Sequence, residues 1–309
     1  MEERLTGRRR AALALALSVL APVAAATGLD AKQELLWARL RERIAAVAAR
    51  LDGALGVSVE DLSSGATIEL REGEVFPTAS TIKVAVLYEL YRQAEEGRLR
   101  LDEVTRPALP RVQGGGVLQL LGPQVSLTWR DLAVLMMGWS DNEATNLLMT
   151  RLGREAIEAR LRGLGLQQTR LRRRMMDLEA ARRGDENVST AGELRRLARL
   201  LRDAPGLAPE RAGDLLAVAA VEKSSPFREA LPPGLPFPVA DKPGDLEGVR
   251  AACAYVALPG RPYVVGIMSG YLRRDADGEA AIREISAAAF ETFDRLARSS
   301  TYGRVISER

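Results

Sequence analysis

Apolar residues recur along the chain with two different periods, and the switches between them outline the fold. Leu36, Leu40, Ile44, Val47 and Leu51 stand at helical spacing, so a helix with one apolar stripe is predicted. The alternating segment Leu55 to Glu60, the turn residues Ser63-Ser-Gly65 and the short run Ala66 to Leu70 then predict a hairpin of two strands. Between Ser80 and Tyr91 the pattern changes again. Ile82, Val84, Ala85, Val86, Leu87 and Leu90 cover almost every side of a helix, which implies burial all round. A buried helix that begins with polar residues is unusual.

From Asp102 to about Leu216 the periodicity is mainly helical, with Leu132, Leu135, Met136 and Trp139 on one predicted face and Leu194, Leu197 and Leu201 on another. Gly114-Gly-Gly116, Gly122-Pro123 and Gly163 interrupt it, and the proline-rich stretch from Ser225 to Pro238 ends it. Two strands follow, Arg250 to Leu258 and Pro262 to Ser269, then a helix carrying Ile282, Ile285, Ala289, Phe293 and Leu296. Strands at both ends with helices between them predict a mixed α/β (α+β) fold. Its antiparallel sheet of about five strands is flanked by the N- and C-terminal helices, and an all-helical subdomain is inserted. The implied division is a sheet subdomain over 30–95 plus 236–309 and a helical subdomain over 96–235, together one domain over 27–309.

The N-terminus changes the expected location. Arg4 and Arg8-Arg9-Arg10, the apolar run Ala11 to Val23 and small residues ending near Ala26 have the three-part layout of a secretory signal over 1–26. A secreted or periplasmic protein is expected. The apolar run is shorter than the roughly 18 to 20 residues of a membrane span and is interrupted by Pro22, so a retained anchor ranks second and no other membrane association is predicted.

With 47% hydrophobic residues among 309, the chain has ample material for a core. Its 44 basic and 41 acidic residues give a net charge of only +3, spread along the chain, which argues against nucleic-acid binding. Histidine is absent. That removes Ser-His-Asp triads, Cys-His dyads and every histidine-bearing zinc site, leaving Lys, Glu, Asp or Tyr as the base. The single cysteine, Cys253, lies in the apolar run Ala251 to Ala257 and reads as a small buried hydrophobe that can form no intrachain disulfide. No metal or other cofactor is implied, and a monomer is expected.

Three short motifs carry the chemistry. Ser80-Thr-Ile-Lys83 places a hydroxyl and an amine on one helical face, at a helix start whose free N–H groups suit a developing oxyanion. A serine needs a base, and a lysine serves if burial or a neighbouring cation lowers its pKa. Ser140-Asp141-Asn142 follows an apolar stretch and reads equally as a helix cap. Lys242-Pro-Gly244 follows a predicted strand and reads equally as a β-turn.

In this order the three motifs resemble the Ser-x-x-Lys, Ser-Asp-Asn and Lys-(Thr/Ser)-Gly set of class A β-lactamases and other penicillin-recognising serine hydrolases. Gly114-Gly-Gly-Val-Leu118, Leu127-Thr-Trp-Arg-Asp-Leu132 and Leu152-Gly153 extend the resemblance over roughly Ala31 to Leu296. It implies that Ser80 is acylated, that Lys83 takes or relays its proton, and that Ser140 passes a proton to the leaving nitrogen. Asn142 would hold Lys83 and the substrate amide, and Lys242 with Gly244 would supply the positive strand edge for a substrate carboxylate. The backbone N–H groups of Ser80 and Asp245 would form the oxyanion hole. Arg250 reads either as a carboxylate-binding arginine or as a surface strand charge.

Two positions depart from the family pattern. Pro243 removes the hydroxyl and the backbone donor of the usual central residue of the third motif. The family's Glu-x-x-Leu-Asn loop is also missing between Arg172 and Asn187, where an ungapped alignment back from Ser189-Thr190 sets Arg174 at the glutamate's position. Glu179 and Asp177 are the nearest carboxylates, either water-activating or merely solvated; Glu179 is the candidate general base. The leading expectation is a hydrolase acting on β-lactams through a Ser80 acyl-enzyme. A D,D-peptidase, esterase or amidase of the same fold, or a non-catalytic module binding penicillins or cell-wall peptides, stands as the alternative.

Overall fold

The computed structural model describes residues 31–108, 111–300 and 302–306, so the predicted signal over 1–26 lies outside the described residues. Helix α1 (Ala31–Arg50) buries Leu40, Ile44 and Val47 of the predicted stripe together with Trp37, while Leu36 and Leu51 are half-buried. It leads into a hairpin of β1 (Ala54–Asp61) and β2 (Thr67–Leu70), whose turn is tied by the Asp61 carboxylate accepting from the Ser63 amide and the Ser64 hydroxyl, both at 2.8 Å. Short β3 (Val75–Pro77) precedes a 3-10 turn over Ala79–Ile82, from which α2 (Lys83–Glu95) continues, buried along nearly its whole length.

The middle of the chain is helical. After the short pair β4 (Val104–Thr105) and β5 (Leu127–Thr128), α3 (Trp129–Gly138) begins at a reciprocal capping box of Thr128 and Asp131. Then come α4 (Asn142–Leu152), α5 (Arg154–Gly163) and the short α6 (Leu178–Arg182). β6 (Val188–Thr190) pairs back onto β3 and leads into α7 (Ala191–Asp203), followed by α8 (Pro209–Ala219) and α9 (Pro226–Glu229). The chain then forms β7 (Val239–Leu246), β8 (Val249–Val256), β9 (Tyr263–Gly270) and the long α10 (Asp275–Ala297).

The five-stranded sheet has the order β2-β1-β9-β8-β7, every neighbouring pair antiparallel, as the strand pattern predicts. Strand alternation divides its side chains between two cores. Val57, Ala252, Ala254, Val265 and Ile267 meet Trp37, Leu40 and Phe293 of α1 and α10, where Tyr263 stacks on Phe293 at 4.2 Å. Ala251, Cys253, Val264 and Met268 meet Leu194 and Ala198 of α7 on the other face. Among the described residues no helix is long and apolar enough to cross a membrane.

Two local expectations change. Trp139, expected on the apolar face of α3, is 51% exposed because the helix ends at Gly138. Lys242-Pro-Gly244 is neither a strand end nor a turn. It runs through the middle of β7, where a proline's missing N–H is tolerated because β7 is an edge strand. The β3–β6 pair has no counterpart in the sequence pattern, since three-residue strands carry no readable period.

Helix α7 lies against β9 so closely that a Cβ at Gly266 would stand 2.2 Å from the Ala191 carbonyl oxygen and 2.7 Å from the Arg195 nitrogen. Both atoms are helix backbone, so neither can step aside. Gly266→Ala is expected to lower stability by about 3 kcal/mol in a urea unfolding experiment, and an unchanged midpoint would contradict this packing.

Candidate active site

Ser80 sits in the 3-10 turn between β3 and α2, and its position is over-determined. The Thr78 amide donates to the Asn187 carbonyl at 2.8 Å, and the Thr81 hydroxyl donates to the Thr78 carbonyl at 2.7 Å. Ala79 is held at φ +46°, a left-handed conformation uncommon for a residue with a side chain. Opposite runs β7, so near that a Cβ at Gly244 would stand 2.7 Å from the Thr78 carbonyl oxygen. Only glycine lets the strand edge come this close to the serine.

Ser140 and Asn142 come from the sharp junction of α3 and α4. Ser140 has φ +52°, and Asp141 caps α4 by accepting from the Ala144 amide at 2.9 Å. The other oxygen of Asp141 accepts from the Leu118 amide at 2.7 Å, while Glu143 accepts from the Val112 amide at 2.9 Å. The two carboxylates therefore dock the glycine loop on this junction. The Asn142 amide donates to the Gly114 carbonyl at 2.6 Å, making that loop one wall of the site.

The three segments meet at one oxygen. Ser140 Oγ lies 2.9 Å from Ser80 Oγ, 3.1 Å from Lys83 Nζ and 3.0 Å from Lys242 Nζ. Lys83 Nζ also donates to the Ser140 carbonyl at 2.7 Å and to Asn142 Oδ1 at 2.9 Å, and Lys242 Nζ to the Pro243 carbonyl at 2.9 Å. Lysine three residues after serine does share its helical face, yet the link between them runs through Ser140.

Both lysines are buried, and burial penalises the charged form. Burial and the facing Lys242 push the Lys83 amine well below the usual lysine range, against the opposing pull of Asp141 and Asp245. Lys242 is pushed down to about 7 by its own burial and by the charge of Lys223, against Asp241 and Asp245. A neutral amine beside a serine is the base this chemistry requires.

Ser80, Asn142, Asp245 and Gly114 line a cleft of about 180 Å³ whose remaining wall is the loop over residues 171–187. Arg170 and Val188 close the base of that loop through paired backbone hydrogen bonds at 2.9 and 3.1 Å. Inside it, the Asn187 carboxamide accepts from the Arg172 and Arg173 amides, and Asn146 of α4 clamps both backbone groups of Met175. The cleft face of the loop consists of Arg173, Met175, Met176, Leu178, Glu186 and Asn187.

Two predicted site residues stand elsewhere. Glu179 is exposed on α6 and does not line the cleft, and its neighbour Asp177 is committed to capping α6 through the Ala180 amide at 3.0 Å. Arg174, set by the ungapped alignment at the family glutamate's position, turns outward to the Thr150 hydroxyl, and Met175 lines the cleft instead. Glu186, overlooked in the sequence because it lies at the far end of the loop, is the carboxylate that the loop presents there. Arg173 pairs with it at 2.9 Å.

Arg250 is displaced by one residue of strand alternation. Even positions of β8 face α10 and odd ones face α7, so Ala251 has the site-side face and Arg250 packs under α10. Its guanidinium is shared by Asp245, Asp275 and Glu279 at 3.5, 3.2 and 3.3 Å. Among the described residues no cluster of three or more histidine, cysteine or acidic side chains could hold a metal ion.

The profile of a family described as "Beta-lactamase enzyme family" matches residues 39–293. Beta-lactamase AST-1 of Nocardia asteroides is 33% identical over 238 residues, which cover 74% of this chain and 75% of that protein. A β-lactamase of Streptomyces fradiae is 31% identical over 291 residues, 85% of this chain and 89% of that protein. Among solved structures, the β-lactamase from Sphaerobacter thermophilus DSM 20745 superposes with a TM-score of 0.76 at 26% identity, covering 84% of this chain and 97% of that one. PBP-A superposes with a TM-score of 0.75 at 26% identity, covering 83% and 96%.

The charge of Lys242 lowers the pKa of Lys83, so its removal must raise that pKa. Labelling of Ser80 by a fluorophosphonate should therefore rise with pH through a midpoint that moves upward in Lys242→Met. A midpoint that stays or falls would contradict the coupling.

Proposed function

The chain belongs to the β-lactamase enzyme family, and from that premise we propose that it is a serine hydrolase that opens β-lactams through an acyl-enzyme on Ser80. The observation that carries this reading is Ser140 Oγ, within 3.1 Å of the nucleophile and of both lysine nitrogens. In its neutral form Lys83 spends two N–H bonds on the Ser140 and Asn142 oxygens, leaving its lone pair for the Ser140 hydroxyl. The proton route then runs from Ser80 to Ser140 and from Ser140 to Lys83. Ser80 Oγ forms its bond to the lactam carbonyl carbon, and the carbon–nitrogen bond breaks as the nitrogen takes the Ser140 proton. The lysines resupply Ser140.

The backbone N–H groups of Ser80 and Asp245 are the donors we assign to the oxyanion. Two features support this: Ser80 lies within the opening 3-10 turn, and β7 is an edge strand brought close by Gly244. Asn142, which holds Lys83 and lines the cleft, is the residue we assign to the substrate amide.

Release of the acyl group needs a water that adds to the carbonyl carbon as its proton passes to a base, while the bond to Ser80 Oγ breaks and Oγ takes a proton from Ser140, which lies 2.9 Å away. Glu186 is the carboxylate we assign to that step in place of Glu179, because it lines the cleft with Ser80. Its pairing with Arg173 engages the same side chain in a second interaction, which favours slow turnover. The layout of residues 1–26 supports export, and with it a secreted or periplasmic site of action and β-lactam resistance for the host.

Purified protein mixed with a chromogenic cephalosporin, with intact mass followed in parallel, tests the reading. Many turnovers are expected, with none in Ser80→Ala. Glu186→Gln should keep acylating and accumulate a substrate-mass adduct, at least tenfold more than Glu179→Gln does. A permanent stoichiometric adduct on the parent protein would make it a penicillin-binding protein, and the absence of both adduct and turnover would contradict β-lactam chemistry altogether. Parent-like turnover in Glu186→Gln would remove Glu186 from the mechanism.

A further inference from the structure

The two walls of the cleft touch through one side chain. A Cβ added to Gly114 would stand 2.4 Å from Met176 Cε and 3.1 Å from its Sδ, so the Met176 thioether lies on the Gly114 backbone, in the space a side chain there would fill. Both residues line the cleft with Ser80, Met176 from the loop over residues 171–187 and Gly114 from the glycine loop. The thioether therefore bridges the cleft from wall to wall. Its backbone, at φ +62°, is set between two anchored neighbours: Met175, clamped by Asn146 at 2.9 and 3.1 Å, and Asp177, which caps α6. With this bridge in place the cleft holds only about 180 Å³. Small-molecule sites ordinarily offer about 300 Å³ or more.

The bridging methionine is also the one that an oxidant can reach. Met176 is 41% exposed, whereas Met136, Met137, Met149, Met175 and Met268 are all buried, none above 8%. The other sulfur, Cys253, is buried in the sheet, and burial pushes its thiol up, away from the reactive thiolate. Among the described residues a peroxide thus meets one accessible sulfur. The Met176 Sδ lone pair attacks one peroxide oxygen and the O–O bond breaks. The proton on the transferred oxygen passes to the departing hydroxide, so that sulfur is oxidised to the sulfoxide and hydrogen peroxide is reduced to water.

Oxidation and bridging exclude each other. The added oxygen has no room between Sδ and the Gly114 backbone, and the polar S–O group is better solvated in water than packed there. Since the side chain already borders solvent, the sulfoxide turns outward and the cleft widens. We propose that Met176 is a modification site, an oxidisable latch whose conversion to the sulfoxide opens the cleft to acyl donors with bulky side chains. The effect on acylation rests on the acyl-serine reading above, whereas the site of oxidation does not.

The test treats the purified protein with hydrogen peroxide, maps the added oxygen by peptide mass, and compares second-order acylation of Ser80 by two penicillins, one with a dimethoxybenzoyl and one with an acetyl side chain. The first oxygen should map to Met176, and the bulky-to-small ratio should then rise about tenfold, the scale on which a pocket discriminates a misfit group. Methionine sulfoxide reductase should restore the original ratio. Met176→Ala should show the raised ratio without peroxide, and Met176→Leu, apolar and inert to peroxide, should keep the low ratio before and after treatment. A first oxygen on another residue, a ratio that peroxide leaves unchanged, or an equal rise in Met176→Leu would overturn the proposal. A parent protein that acylates with neither compound would overturn the acyl-serine reading, and with it the effect on acylation.

Discussion

Two lysines, Lys83 and Lys242, are buried on either side of one serine hydroxyl, and the rest of the active centre depends on that unfavourable arrangement. Taking an ammonium out of water costs on the order of several kcal/mol, and placing a second one nearby adds repulsion. Both effects favour the neutral amine, the form in which a lysine can act as a base. Ser140 makes the arrangement useful, because its Oγ is the common neighbour of Ser80 and of both amines.

Holding such a cluster together requires rigid supports from separate parts of the chain. β7 must be an edge strand, so that Pro243 costs no sheet hydrogen bond, and it needs Gly244 to approach the turn that carries Ser80. The α3–α4 junction is fixed by the Asp141 cap, whose second oxygen also secures the glycine loop. Ala79, Ser140 and Met176, three of the six non-glycine residues at positive φ among those described, lie at or beside the cleft.

Much of this was legible in the sequence because the relevant signals are local. Helical stripes, the strands of the sheet and the three motifs are each confined to a few neighbouring residues, and their order was enough to join Ser80, Lys83, Ser140 and Lys242. What could not be read depended on direction or on long-range contact. Arg250 and Ala251 are adjacent in sequence but face opposite sides of β8, a difference settled only by register. Glu179 and Glu186 are both acidic residues in one loop, and only the folded path of that loop turns Glu186 to the cleft.

The central claim is that Lys83 is uncharged when Ser80 reacts, and the ionisation of its side-chain nitrogen tests that most directly. A pH titration of the Lys83 Nζ resonance in isotope-labelled protein, assigned through Lys83→Arg, should give a midpoint well below the ordinary lysine value of about 10.4. A midpoint at that ordinary value would contradict the account, because Lys83 would then be charged at neutral pH and unable to take the proton that Ser80 releases.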